Sequence, residues 1–309
     1  MNTQVKIFSG SASQYLAEKI ADHYGTPLGK ITVQKFSDGE MQPSFDESVR
    51  GCNVFIVQST FTPADNTIEL LLLIDAAKRA SAKQVIVVTP YFGYARQDRK
   101  TKPRVSMGAK LMANILTAAG ANRVVTMDLH AGQIQGFFDI PLDHLDASVV
   151  FTQYLQDLGL DNLCIASPDI GGSNRARKYA RALNADLAII DKHREKANEV
   201  SSMRVIGNVN GKHVILVDDL VDTAGTLTKA AEILLEQGAI SVRAICTHPV
   251  LSGKAYDTIN GSKLEELVVT DTIPLKQSSP KIKVLSIAPL FAKTIHKIHH
   301  FESISSLFK

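Results

Sequence analysis

Short apolar runs alternate with helical patterns along the whole chain, and this alternation restricts the fold more than any other feature of the sequence. The runs are Lys6 to Phe8, Val54 to Gln58, Gln84 to Thr89, Arg123 to Met127, Leu163 to Ala166, Leu187 to Ile190, Val214 to Val217, Val242 to Cys246 and Leu267 to Thr270. Each has the length of a strand and is apolar enough to be covered on both faces, and the segments between them leave room for crossover helices. The pattern predicts an α/β fold with mainly parallel central sheets flanked by helices. Thr67 to Ala80 reads as one such helix, with Asn66 as its N-cap. Ser106 is placed to cap a second, with Leu111, Met112, Ile115, Leu116 and Ala119 on one face and Gly120 ending it.

The scheme of strand, polar loop and helix recurs on both sides of a seam near Asp146, so two similar halves facing a shared cleft are expected. Their expected spans are 1–145 and 146–290, with an amphipathic remainder, 291–309, packing on the N-terminal half. A chain of 309 residues, 45% hydrophobic and 21% charged, can bury two ordinary cores. Its net charge of +3 gives no case for a nucleic-acid surface. The N-terminus has no basic stretch followed by an apolar one, and no run approaches the length of a membrane span. The expectation is a cytoplasmic protein with no membrane partner. Cys52, Cys164 and Cys246 are isolated and read as buried, small apolar residues in a reducing compartment.

The stretch VILVDDLVDTAGT, Val214 to Thr226, carries the most chemistry. An apolar strand runs into Asp218 and Asp219, and a turn of small residues, Asp222, Thr223, Ala224, Gly225 and Thr226, then leads into a helix over Leu227 to Gln237 that Gly238 stops. Backbone N–H groups of such a turn and helix start can converge on one anion. The two carboxylates can accept hydrogen bonds from vicinal hydroxyls, and together these features describe a sugar phosphate. A plain strand-to-helix junction with surface acids is the competing reading.

No G-x-x-x-x-G-K-[ST] and no G-x-G-x-x-G occurs, which disfavours a P-loop kinase and a Rossmann dehydrogenase. Other stretches offer themselves for a nucleotide. In KFSDGE, Lys35 to Glu40, Phe36 can stack on a base while Asp38 or Glu40 accepts from an amine; an ordinary polar turn competes. In YFGYARQDRK, Tyr91 to Lys100, the guanidinium groups of Arg96 and Arg99 suit a polyphosphate, and a solvated basic loop competes. His130 follows Asp128 and Leu129 at a strand end, where a ligand role and a structural role both remain open. IIDKHREKANEVSS, after Leu187 to Ile190, is charged densely enough to read as a disordered lid.

KFSDGE, ELLLLIDAAKRASA, PYFGYARQDRK, DLHAGQIQGFF, SPDIGG, IIDKHR, VDDLVDTAGT and THPVLSG occur in the order and spacing of class I ribose-phosphate pyrophosphokinases. The turn at 222–226 also resembles the phosphoribosyl diphosphate (PRPP) loop of the type I phosphoribosyltransferase fold. The resemblance covers nearly the whole chain and implies two phosphoribosyltransferase-like domains. It implies transfer of the diphosphoryl group of MgATP to the 1-hydroxyl of ribose 5-phosphate, giving PRPP and AMP. By position it puts ribose 5-phosphate on Asp218, Asp219 and Asp222 to Thr226, with Arg194 contributing. ATP is put at Phe36, Asp38, Gly39, Glu40, Arg96 and Gln97. His130 and Asp169 match positions tied to Mg2+, and Lys192 and Arg194 match the catalytic cations.

Because the adenine turn serves a neighbouring subunit in that family, a homo-oligomer is implied, a hexamer built from dimers. Phosphate and ADP are the implied effectors, near Ser48, Arg50, Ser81, Gln135, Asp143, Ser303 and Ser305. The chain departs from the family pattern at His193, where another cation is common, and at VSMGAK. A phosphoribosyltransferase that consumes PRPP would explain the loop but leave KFSDGE, YFGYARQDRK and Lys192 unused. A non-catalytic PRPP sensor would tolerate damage at these positions, and the sequence carries none. His296, His299 and His300 cluster near the C-terminus, and exposed helix residues account for them.

Overall fold

A computed structural model describes residues 3–193 and 202–308. The chain divides into two compact units, the first formed by Met1–Asp146, Thr272–Pro274 and Ile287–Lys309, the second by Ala147–Asp271 and Leu275–Ser286. Each apolar run named above lies in a strand, save that Gln58 falls one residue past Asn53–Val57, and the architecture is mixed α/β with mostly parallel sheets flanked by helices.

The first unit begins with β1 (Val5–Ser9) and α1 (Gln14–Tyr24) and continues through a hairpin of β2 (Ile31–Lys35) and β3 (Met41–Phe45). It goes on through β4 (Asn53–Val57), α2 (Asp65–Arg79), β5 (Gln84–Thr89), α3 (Gly108–Ala119), β6 (Arg123–Met127) and β7 (Leu142–Leu145). The sheet has the order β1-β4-β5-β6-β7 and is parallel throughout, while β2 and β3 pair antiparallel in a sheet of their own. Val54 and Ile56 of β4 and Val87 of β5 pack with Leu70, Leu73 and Ile74 of α2, all fully buried. Removing such side chains from water stabilises the unit by roughly 2 kcal/mol each.

The second unit runs through α4 (Ser148–Asp157), β8 (Leu163–Ser167), α5 (Ser173–Ala182), β9 (Asp186–His193) and β10 (Ser202–Ile206). Then come β11 (His213–Val221), α6 (Gly225–Glu236), β12 (Ser241–Pro249), α7 (Ala255–Gly261), β13 (Leu267–Thr270) and β14 (Ile282–Leu285). Its sheet has the order β10-β9-β8-β11-β12-β13-β14, parallel except at β10. Val214 and Leu216 face Leu227, Ala231 and Leu234 of α6, while Ile215 and Val217 are equally buried, so β11 is covered on both sides. The last helix, α8 (Ala288–His299), belongs to the first unit and packs on α1.

Three local expectations are corrected. Asn66 is not the cap of α2: the helix starts at Asp65, with Ala64 at the N-cap position and an acid in the first turn against the positive helix end. Asn66 instead donates its amide to Phe61 O at 2.8 Å, pinning the preceding loop. Ser106 does not cap α3, which starts at Gly108 after Met107; its hydroxyl donates to Gln97 Oε1 at 3.4 Å. β11 does not stop at Val217. It extends to Val221, so Asp218 and Asp219 lie within the strand.

Candidate functional site

In a parallel sheet the loops leaving the carboxyl ends of the strands share one edge, and ligands bind there. In the second unit β8 and β11 are parallel neighbours, with Ala166 opposite Leu216. Asp169, just beyond β8, and Asp218 to Thr226, beyond the same point of β11, therefore lie along one edge. Asp169 is exposed and holds the loop Asp169 to Gly172 through its own carboxylate: Gly172 N donates to Oδ1 at 2.9 Å.

Asp218 and Asp219 differ in exposure, with 29% of the Asp218 side chain accessible against 6% for Asp219. Arg175 of α5 reaches both, at 2.8 Å from Asp219 Oδ1 and 3.8 Å from Asp218 Oδ1. Burial, and then the neighbouring Asp219, push the Asp218 carboxyl up to about 8. Behind them Cys246 of β12, the pairing partner of Asp218, is sealed from solvent. Burial and then the two acids raise its thiol well above its usual range, which leaves it inert.

The turn that follows is built for an anion. Ala224 takes a left-handed conformation, φ 64°, that swings the chain from strand into helix. Thr223, Gly225 and Thr226 are exposed, and among the described residues no side chain caps α6, so the first N–H groups of a twelve-residue helix are open to a ligand. Asp222 is occupied in holding the turn: its carboxylate accepts from the Ser252 hydroxyl, and its carbonyl accepts from Ser252 N at 3.0 Å. Ser252, in THPVLSG, and Arg175, in the basic start of the helix after SPDIGG, were not singled out from the sequence. Both follow turn segments that were quoted, and their roles emerge only when the strands are placed side by side.

In the first unit the neighbours β5 and β6 repeat the arrangement. The loop after β5 carries Arg96 and Gln97, both exposed, and the loop after β6 carries the exposed His130. The two loops are tied by Gln133, whose amide donates to Asp98 Oδ2 at 3.0 Å. Gly93 allows the β5 loop its path: its N–H donates to Thr60 Oγ1 at 2.8 Å, and a Cβ on Gly93 would sit 2.1 Å from Thr60 O. Gln97 is held between Ser106 and Gly108, where α3 begins. The strained Asp128, φ 37°, turns the chain out of β6, and Leu129 N donates to His144 Nε2 at 2.9 Å.

Phe36, Asp38, Gly39 and Glu40 stand apart from these loops, at the tip of the β2–β3 hairpin. The tip closes on itself through Phe36 N to Glu40 O at 2.8 Å and Glu40 N to Asp38 Oδ1 at 3.0 Å, with Gly39 at φ 97°. Phe36 is 44% exposed, an apolar ring offered to solvent. Arg194 lies outside the described residues, and of Lys192 only the backbone is described, paired with Met203 at the edge of the sheet.

Arg50 Nη1 lies 3.2 Å from Ser81 Oγ, and Arg123 pairs with Asp143 at 2.7 Å. His296 and His300 stack at 4.0 Å, and His299 Nδ1 is 3.3 Å from Asn53 Nδ2. Among the described residues no group of three or more His, Cys, Asp or Glu side chains is arranged to hold a metal ion alone. No helix among them is long and apolar enough to cross a membrane.

Residues 5–120 match the family described as the N-terminal domain of ribose phosphate pyrophosphokinase, and residues 192–309 match the phosphoribosyl synthetase-associated domain. The chain is 57% identical to the ribose-phosphate pyrophosphokinase of Campylobacter jejuni over 304 residues, covering 98% of each chain. It is 59% identical to that of Wolinella succinogenes, again over 98% of both. The crystal structure of phosphoribosylpyrophosphate synthetase from Mycobacterium smegmatis superposes with a TM-score of 0.92 at 40% identity, over 97% of this chain and 100% of that one.

Proposed function

The chain belongs to the ribose-phosphate pyrophosphokinase family, and on that footing we propose how its residues divide the work of making PRPP. The enzyme joins ATP and ribose 5-phosphate. The 1-hydroxyl oxygen of the sugar attacks the β-phosphorus and gives up its proton, the bond from that phosphorus to the α–β bridging oxygen breaks, and AMP leaves with the bridging oxygen.

The 5-phosphate sits on the N–H groups at Thr223 to Thr226, where the dipole of α6 favours negative charge. Asp218 and Asp219 accept from the ribose hydroxyls, and Asp222 shapes the turn. Arg96 and Gln97 hold the phosphates of ATP. Phe36 stacks on the adenine while Asp38, Gly39 and Glu40 read its edge, on behalf of a neighbouring subunit in a hexamer built from dimers. Lys192 and Arg194 neutralise the charge that builds on the transferring group, which is the main demand of phosphoryl chemistry.

Asp169 fits Mg2+, because its exposed carboxylate is a hard oxygen donor and nucleotide phosphates complete such a shell. His130 is a softer donor and suits contact through the ion's water shell. Mg2+ held with ATP draws charge off the phosphates. Phosphate and ADP act as effectors in this reading, and the cytoplasm is its compartment.

The observation that supports the reading best is the uncapped start of α6 directly behind Asp218 and Asp219. The test is release of AMP from MgATP with and without ribose 5-phosphate. Sugar-dependent AMP and PRPP are expected; a chain that instead consumed PRPP with a free base would be a phosphoribosyltransferase.

A further inference from the structure

We propose that Arg175 is a positioning residue for ribose 5-phosphate: its guanidinium clamps the Asp219 carboxylate and leaves Asp218, the more exposed acid, to accept the sugar hydroxyls. The inference rests on the reading above that these two acids face ribose.

Consecutive residues of a strand point to opposite faces, so two adjacent acids have no reason to share one cation. Here they do. β11 keeps its register with β12 from Asp218 opposite Cys246 to Leu220 opposite His248, and Asp219 N donates to Asp218 Oδ1 at 2.8 Å. Both carboxyl groups reach Arg175 all the same. The guanidinium is 2.8 Å from Asp219 Oδ1 and 3.8 Å from Asp218 Oδ1, with 22% of its side chain accessible.

The division of labour follows from exposure. Asp219 is almost wholly enclosed and takes the direct charge-assisted bond, while Asp218 keeps an open side toward solvent. Without Arg175 two neighbouring acids would repel each other, and nothing would fix the Asp219 carboxylate in place beside Asp218. Cys246 on β12 lies opposite Asp218 and is titratable, and Asp169 stands in the loop leading into α5. Since α5 follows that loop directly, one segment of chain supplies both Asp169 and the clamp.

The test is steady-state kinetics of the full chain with R175Q, R175K, D218N, D219N and the R175Q/D219N double variant, each also checked for Tm. R175Q is expected to raise KM for ribose 5-phosphate about tenfold, as losing a charge-assisted bond does, and to leave KM for ATP unchanged. Its acidic limb in kcat/KM for ribose 5-phosphate should move up by about one pH unit, because the cation that favoured the ionised form is gone. R175K, which keeps the charge but not the fork, should return KM to within about threefold of the parent. Because clamp and carboxylate act as one unit, the double variant should be no worse than D219N. That variant removes both charges and serves if R175Q alone does not fold.

Unchanged KM and pH profile in R175Q, an equal rise for ATP, no recovery with R175K, or additive penalties in the double variant would each overturn the role. The two claims separate cleanly. If D218N leaves KM for ribose 5-phosphate at the parent value, the ribose assignment itself fails; if D218N raises it and R175Q does not, only the clamp fails.

Discussion

Gln133 donates its side-chain amide to Asp98 across 3.0 Å and so fastens the loop beyond β6 to the loop beyond β5. His130 and the pair Arg96 and Gln97 ride on these two loops. Gln133→Ala leaves the sheet untouched and removes one exposed hydrogen bond, worth about 1 kcal/mol. The expected result is a roughly fivefold rise in KM for ATP with KM for ribose 5-phosphate unchanged. Equal rises for both substrates in initial-rate measurements would refute the local role.

Gly93 has no room for a side chain, since a Cβ there would press on the backbone oxygen of Thr60 at 2.1 Å. Backbone cannot rotate away as a side chain can, so Gly93→Ala is expected to lower stability by about 2–3 kcal/mol. Urea unfolding measures this, with the midpoint falling and the slope unchanged.

Thr226 occupies the first turn of α6, where the helix dipole favours an anion of either origin. Thr226→Asp supplies one permanently. The substrate-free chain should gain about 0.5 kcal/mol, while KM for ribose 5-phosphate rises more than about tenfold through charge repulsion. Stability and affinity moving in opposite directions is the signature; a joint loss would mean the helix start had merely been damaged.

Burial, and then the neighbouring Asp219, raise the Asp218 carboxyl to about 8 in the folded chain, well above the ordinary carboxylate range. A group with a raised folded value contributes its stability fully at acid pH and loses it as pH climbs through the folded value. Asp218→Asn has no such loss. In metal-free and phosphate-free buffer its Tm should exceed the parent's by a margin that widens from pH 5 to pH 8.5, equivalent to about 1–2 kcal/mol once screening at a partly exposed carboxyl is allowed for. A margin independent of pH would show that Asp218 ionises normally.

Lys192→Ala is expected to lower kcat by on the order of a hundredfold or more, as loss of a transition-state charge partner does. Near-parent turnover would remove Lys192 from the catalytic group.

The strands that were legible in the sequence are those covered on both faces. Asn53–Val57 and Gln84–Thr89 present almost unbroken burial, and composition alone reveals that. The hairpin strands Ile31–Lys35 and Met41–Phe45 and the edge strand Ile282–Leu285 are half in water, so no apolar run marks them. The apolar run of β11 stops at Val217 while the strand goes on to Val221, its acids being held by Arg175. Capping was misread at Asn66 and Ser106, where loop contacts outcompeted the helix ends for the same side chains. The acids, the turn and the loops after β5 and β6 could be named from sequence. Their partners Arg175, Gln133 and Ser252 could not, since only strand adjacency brings them near.

Because Asp218 sits in the β11–β12 ladder rather than in the turn, the proposed hydroxyl reading rests on the sheet while the proposed phosphate grip rests on the segment beyond it. Grafting a foreign turn at 222–226 would therefore retune how firmly the ester's tail is held without teaching the enzyme a different pentose. A change of sugar would have to be engineered into the pleat.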